Sequence, residues 1–169
     1  MSKAARLALI GKSGAGKSLA GRYLSVGLGV PHIKTGVICR EISRMLFDNE
    51  DKRSTQRLDD ALTALDPSIF LRAALRPIKI ENGFVVDALR FREDLNLARD
   101  NGCKIVRILA PDEFRFTRLA ERQQVFDRQT DNQHRSETEL DDAEVDFDIV
   151  NDADLVAFEG KLAEIVARG

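Results

Sequence analysis

Gly11-Lys12-Ser13-Gly14-Ala15-Gly16-Lys17-Ser18 is the stretch on which the fold turns. It fits G-x-x-x-x-G-K-(S/T) without deviation. Glycines at these positions let the backbone curl until successive N–H groups point inward, as phosphate oxygens require. Lys17 can then reach the β- and γ-phosphates of a nucleotide, and the Ser18 hydroxyl can ligate magnesium. The flanks agree with this reading. The apolar run Leu7-Ala8-Leu9-Ile10 reads as a short buried strand leading in. A helix from about Lys17 to Leu24 leads out and is broken by Gly27 and Gly29. Ser13, Gly14, Ala15, Gly16, Lys17 and Ser18 are therefore the candidate ATP-binding residues, with Lys17 also the first catalytic candidate.

Outward from this loop, strands and helices alternate. Val30-Pro31-His32-Ile33 reads as a short second strand, and Val37 to Leu75 as helical with breaks near Asp48–Ser54 and at Asp66-Pro67. Leu58, Ala61, Leu62 and Leu65 fall at helical spacing. A turn at Asn82-Gly83 precedes Phe84-Val85-Val86-Asp87, a buried strand ending in an acid. Residues 90–100 read as a helix stopped by Asn101-Gly102, and Ile105–Ala110 as the next strand. Pro111-Asp112 opens a helix to about Gln123. Gln124–Ala143 is polar and short of core residues, so it is expected to be exposed and mobile. Phe147–Val150 is the last strand and residues 153–168 the closing helix. This alternation implies a parallel sheet covered on both faces. Segments 34–78 and 118–145 exceed such a minimal core and read as insertions over one edge, where open α/β sheets bind ligands. At that same edge the Asp87 carboxylate would emerge, able to hold magnesium directly or through water and to cap the next helix.

Composition narrows the partners. The 169 residues suit one domain, and 43% hydrophobic residues suffice for a core. Only 6% are aromatic and none is Trp, which argues against an aromatic-lined groove. Coating of nucleic acid is driven by excess cations, and a net charge of -2 offers none, so nucleic acid is not an expected partner. Anion binding must be local. Arg outnumbers Lys by 18 to 8, and Arg is suited to bidentate contact with phosphate or carboxylate. Cys39 and Cys103 have no CxxC spacing, so a zinc site is unsupported and reduced thiols in a cytoplasmic protein are expected. The apolar run at Leu7–Ile10 is too short for a signal peptide or membrane span, which again points to a cytosolic protein without a membrane partner. Oligomeric state is left open, a homodimer included.

Arg115, Arg118 and Arg122 lie at offsets of three, four and seven, on one helical face. Stacked like charges are unfavourable unless acids or an anionic ligand answer them. Both readings stand, a solvated helix paired with local acids or an anion-binding lid. Arg128 and Arg135 follow, as do the acids from Glu137 to Glu144.

The order of segments resembles the nucleoside monophosphate kinase family, whose sheet core carries a monophosphate-binding insertion and a lid. His32-Ile33-Lys34-Thr35-Gly36-Val37-Ile38-Cys39-Arg40 resembles that family's histidine–isoleucine–serine–threonine–glycine–acidic–x–x–arginine segment, with Lys34 and Val37 as departures. The likeness implies that Thr35 and Gly36 border the base and that Arg40 grips the acceptor's α-phosphate. Val86-Asp87-Ala88-Leu89-Arg90 resembles the family's strand ending in Asp-Gly-x-Pro-Arg, without its Gly and Pro and with Arg one residue closer. In this it is more similar to phage-type deoxynucleoside monophosphate kinases and dephospho-coenzyme A kinase relatives, and Arg90 becomes the second acceptor-phosphate candidate. His134-Arg135-Ser136-Glu137-Thr138-Glu139-Leu140-Asp141 and Phe147-Asp148-Ile149-Val150-Asn151-Asp152 also resemble the phage type. The second of these implies that Asn151 lies beside the donor's adenine.

These resemblances imply a P-loop NTPase fold, three layers α/β/α around a five-stranded parallel sheet. The core would be 1–33, 79–117 and 146–169, the acceptor-binding insertion 34–78 and the lid 118–145. They imply transfer of the γ-phosphate of ATP to a nucleoside or deoxynucleoside monophosphate with Mg2+. Lys17, Arg118, Arg122 and Arg128 would be catalytic, and Ser18 and Asp87 would hold the metal. Thr35, Gly36, Arg40, Phe70, Arg90 and Arg135 would bind the acceptor, with Phe70 either stacking on a base or packing in the core. His32 and His134 read as surface or capping residues. Two rivals stand: a kinase of another acceptor, dephospho-coenzyme A or a hydroxymethylated base in DNA, and a nucleotide-gated ATPase or switch.

Overall fold

The computed structural model describes residues 4–124 and 126–168. Five strands, β1 (Arg6–Ile10), β2 (His32–Lys34), β3 (Phe84–Asp87), β4 (Lys104–Leu109) and β5 (Phe147–Val150), form one sheet in the order β2-β3-β1-β4-β5. Every pairing is parallel. Helices cover both faces, as a parallel sheet requires. They are α1 (Lys17–Leu28), α2 (Thr35–Phe47), α3 (Lys52–Leu65), α4 (Ile69–Leu75), α5 (Arg92–Asp100), α6 (Asp112–Glu121), α7 (Arg135–Thr138) and α8 (Leu155–Ala167). The three-layer α/β/α architecture expected from the alternation is the one observed.

The strand period of two explains the two cores. On β1, Leu7 and Leu9 face α1 and α8 and join Val85, Val106, Ile108, Phe158 and Leu162. Ala8 and Ile10 face the other way and join Leu71, Phe84, Val86, Leu95 and Ile105. Most of these side chains are almost fully buried, each worth roughly 1.5–3 kcal/mol of transfer free energy. Chain connections leave β1 toward β2 and leave β3 toward β4, in opposite directions across the sheet. The loops after β1 and β3 therefore part at the C-terminal edge, which is where an open parallel sheet makes its binding crevice.

Several boundaries differ from the sequence reading. Only Gly29, at φ 66°, ends α1. Gly27 stays inside the last turn, because a Cβ there would stand 2.9 Å from Val166 on α8, so its small size sets the α1–α8 approach. The second strand begins at His32, not Val30, and pairs with β3 from Val85 to Asp87. The closing helix starts two residues late, at Leu155, where Asp154 accepts the Ala157 N–H at 2.9 Å as a cap. Gln124–Ala143, expected to be short of core residues, contributes two: Leu140 and Ala143 are buried and pack under α5 and the sheet. Val125, inside that stretch, lies outside the described residues, as do residues 1–3 at the start of the chain. Among the described residues, no helix is long and apolar enough to cross a membrane.

Candidate functional site

The loop from Gly11 to Gly16 joins β1 to α1 at the crevice. Its carbonyls all point at donors. Lys17 Nζ donates to Gly11 O at 2.5 Å and to Lys12 O at 2.9 Å. Arg115 Nε donates to Ser13 O at 2.8 Å, Arg118 Nη1 to Gly14 O at 3.4 Å, and Asn151 Nδ2 to Ala15 O at 2.9 Å. With five successive carbonyls satisfied this way, and the Ala15 N–H closing a turn onto Lys12 O at 3.2 Å, the loop is fixed in a curled form suited to a phosphate. No side chain caps the N-terminus of α1. The uncapped first turn, with its positive dipole end, is thus left for an anion. Gly14 is obligatory here: its φ is 79°, and a Cβ would stand 2.6 Å from the Arg115 carbonyl oxygen.

Lys17 is half-buried in this cradle, and desolvation lowers its pKa from 10.5 to about 8, against an opposing pull from the Glu137 carboxylate. Because the folded value lies below the unfolded one, the folded chain holds fewer protons between these values, and stability from this group rises as pH climbs through that window. Ligand binding runs the other way. An arriving polyphosphate needs the charged ammonium, so ATP affinity is expected to fall as pH rises past about 8, with proton uptake on binding. Calorimetry at pH 7 and pH 9, in buffers of different ionisation enthalpy, checks both signs.

Asp87 ends β3, buried, with Oδ2 2.9 Å from His32 Nε2. This corrects the surface reading of His32, which is only 11% exposed. Gly21 makes the contact feasible: a Cβ there would stand 2.3 Å from His32 Nε2. Thr35 Oγ1 donates to the Asp87 carbonyl at 3.4 Å, tying the start of α2 to the same edge. Ser18 lies in the first turn of α1, exposed. The hard oxygens of Ser18 and Asp87 suit magnesium, which takes few protein ligands and relies on phosphates and water for the rest. No three His, Cys, Asp or Glu side chains gather as a metal cage among the described residues.

A cavity of about 580 Å3 opens beside the cradle, between α2, α3 and α4 and the loop after β3. It brings together Thr35, Gly36, Arg40, Phe70 and Arg90, five of the six residues expected to bind an acceptor. The sixth, Arg135, is not brought there. It pairs with Glu139 one turn on, a favourable i,i+4 spacing, and lies over the Phe91 ring at 4.8 Å. Arg90 is held from two sides. Its guanidinium meets Asp59 at 3.3 Å, and its N–H, like that of Phe91, donates to Asp94 Oδ2. Burial pushes Asp94 up to about 6 and also raises Asp59.

The arginine face of α6 divides. Arg115 is 1% exposed and makes hydrogen bonds to Ser13 O, Asp112 and Asn132, so acids and carbonyls of the chain answer its charge. Arg118 reaches Gly14 O and Asn151 beside the cradle. Arg122 ends α6, and Arg128 lies over the Phe116 ring at 4.7 Å. Neither of these two lines the cavity that holds Arg40 and Arg90. Asn151 is buried, its amide braced on the loop instead of standing open beside an adenine. Cys39 and Cys103 are free and buried, and burial pushes Cys103 up to about 12.

Sequence reasoning missed Arg115 as a brace, Asp59 and Asp94 as holders of Arg90, and Glu137. The carboxylate of Glu137 takes the Ser13 N–H at 2.6 Å and the Ser13 hydroxyl at 2.5 Å. Only the position of Glu137 in the His134–Asp141 run singled it out.

Sheet order, cradle and brace define the class: this is a P-loop NTPase fold of the kind seen in small-molecule kinases. Among relatives, the chain is 32% identical over 127 residues to an adenylate kinase of Caldicellulosiruptor saccharolyticus, covering 69% of this chain and 59% of that one. It is 30% identical over 133 residues to the adenylate kinase of Caldicellulosiruptor bescii, with the same coverage. The chain thus spans about three fifths of the length of the curated relatives it matches. No protein-family model matches. Among solved structures it resembles shikimate kinase from Acinetobacter baumannii in complex with shikimate, with a TM-score of 0.61 and 15% identity over 97% of this chain and 92% of that one. It also resembles the TT1252 protein of Thermus thermophilus, at TM-score 0.64 and 16% identity over 97% and 96%.

Proposed function

We propose that the chain is an ATP-dependent phosphotransferase that moves the γ-phosphate of ATP to a nucleoside monophosphate, with a deoxynucleoside monophosphate the favoured acceptor. The observation that carries this reading is the acceptor-sized cavity that holds Arg40 and Arg90 directly beside the cradle of Lys17. Two guanidiniums there suit a dianionic phosphate. The similarity to adenylate kinases supports the same class.

Phosphoryl transfer asks for in-line placement and for cations on the charge that spreads over the moving group. The cradle's N–H groups and Lys17 would hold the donor's β- and γ-phosphates. Ser18 and, directly or through water, Asp87 would hold magnesium, which would supply positive charge against the charge developing in phosphoryl transfer. His32 fixes the orientation of Asp87. Arg40 and Arg90 would present the acceptor's phosphate oxygen to the γ-phosphorus, with Asp94 and Asp59 fixing Arg90. No general base is required, because a monophosphate is already anionic at neutral pH. Arg118, with Arg122 and Arg128 on the 118–145 segment, would approach the transferring group when that segment closes, and closure would exclude water.

The test is coupled ADP release with ATP and magnesium, across ribo- and deoxynucleoside monophosphates and dephospho-coenzyme A. Stimulation by one or two nucleotides is the expected outcome. Stimulation by dephospho-coenzyme A alone would move the reading to another acceptor, and a flat panel over intact ATP binding would favour a nucleotide switch. Arg90→Met should raise the acceptor KM roughly tenfold to a hundredfold, the worth of one charge-assisted contact, and leave the KM for ATP near its starting value.

A further inference from the structure

We propose that Glu137 is a resident anion of the phosphate cradle, holding the loop in the absence of nucleotide and displaced by the donor's phosphates when they bind. This rests on reading the Gly11–Ser18 loop as a polyphosphate cradle, and it adds a regulation of that site.

The geometry is that of an anion in an anion seat. Glu137 accepts both the backbone N–H and the hydroxyl of Ser13, and Arg115 Nη2 stands 3.8 Å from the same carboxylate. A backbone N–H, a hydroxyl and a guanidinium converging on two carboxylate oxygens form the donor set expected around a phosphate. Its side chain is only 14% exposed, so this is an enclosed contact. Glu137 also stands at a partition. A second cavity of about 460 Å3 lies on the β4 side of the loop, and Arg90, Ser136 and Glu137 line both it and the acceptor cavity. A carboxylate beside the cradle repels an incoming triphosphate, and both cannot hold Ser13 at once. One must leave.

What moves with it is legible in the contacts of α7. His134 caps α7 by accepting the Ser136 N–H, and its Nε2 lies 3.7 Å from Asp60 on α3. Glu139 accepts the Arg92 N–H at 2.9 Å, and Asp141 pairs with Lys12 at 3.1 Å. The short helix and the turn after it are thus fastened to the phosphate loop, α3 and α5 together. Displacing Glu137 loosens the first of these attachments and transmits donor binding to the acceptor side. The segment read from sequence as a free lid is, in this state, a latch on the cradle.

The experiment compares wild type, Glu137→Gln and Lys17→Ala in equilibrium binding of ATP and of inorganic tripolyphosphate. Alongside it, hydrogen exchange is followed in the wild-type chain with and without tripolyphosphate. Removing the competing charge should tighten both ligands roughly tenfold or more in Glu137→Gln, the span assigned to a hydrogen bond to a charged group. Tripolyphosphate should speed exchange at amides 135–141 of wild type, a readout that stands even if the variant fails to fold. Unchanged or weaker binding by a folded Glu137→Gln would overturn the proposal and make Glu137 a support of the productive loop. Unchanged or slower exchange at 135–141, with ligand bound, would overturn it equally. If wild type binds neither ligand better than Lys17→Ala, the cradle reading itself fails and the latch falls with it.

Discussion

Replacing Lys17 with alanine is expected to lower kcat/KM for phosphate transfer by about 10^2- to 10^3-fold, the scale seen when one preorganised donor to transition-state charge is removed. The reason is geometric. Lys17 is the cation of the cradle, bent onto Gly11 O and Lys12 O with no acid in direct contact among the described residues. Its ammonium is therefore held by weak acceptors and free to swing to a phosphate. The fold should survive, because Lys17 carries a desolvation penalty that lowers its pKa to about 8, and alanine removes that penalty. Steady-state kinetics with circular dichroism melts separates the two effects. A large loss of stability in Lys17→Ala, or transfer within threefold of wild type, would count against its assigned role.

The second large effect is expected from Arg115→Ala, and it is on stability first. Arg115 is 1% exposed and joins the loop carbonyl of Ser13 to Asp112, Asn132 and Glu137. Removing one partner of a buried ionic network strands the others, typically at a cost of about 3–5 kcal/mol. For a domain of this size that corresponds to a fall in Tm of roughly 6–20 °C. Asp112 is largely exposed and can rehydrate, so the lower half of that range is the better expectation. Nucleotide affinity should fall as well, because Ser13 and Gly14 lose the brace that orients their N–H groups. Arg122→Ala offers the contrast, since Arg122 lines neither cavity, and its melt should stay within about 1–2 °C of wild type, as for most surface substitutions.

What was legible in the sequence is what depends on neighbours in the chain. The strand Phe147–Val150 agrees with its reading at both ends, and the loop Gly11–Ser18 is a local conformation that its own glycines dictate. The residues expected to bind an acceptor, Thr35, Gly36, Arg40, Phe70 and Arg90, converge on one cavity although 55 positions separate the first from the last. The resemblance to a known family supplied that grouping; periodicity did not. What was illegible depends on pairing across the fold. Ser13 and Glu137 are 124 residues apart, Arg115 and Ser13 are 102 apart, and His32 and Asp87 are 55 apart. Nothing in the local pattern of any of these residues names its partner. Arg115 shows the problem most plainly. By spacing it belongs with Arg118 and Arg122, yet its position on α6 turns it inward while the helix end carries Arg122 outward. Gly27 and Gly29 differ for a similar reason: only the approach of Val166 from α8 marks Gly27 as a packing residue.

The most direct measurement is the fate of a label on the γ-phosphate of ATP, followed with magnesium and each nucleoside monophosphate in turn. The expected result is label in the nucleoside diphosphate made from the acceptor, formed about 10^2- to 10^3-fold more slowly by Lys17→Ala and diminished in Arg90→Met at low acceptor concentration. Label appearing only as inorganic phosphate, at a rate no monophosphate changes, would contradict the assignment of phosphate transfer to this site.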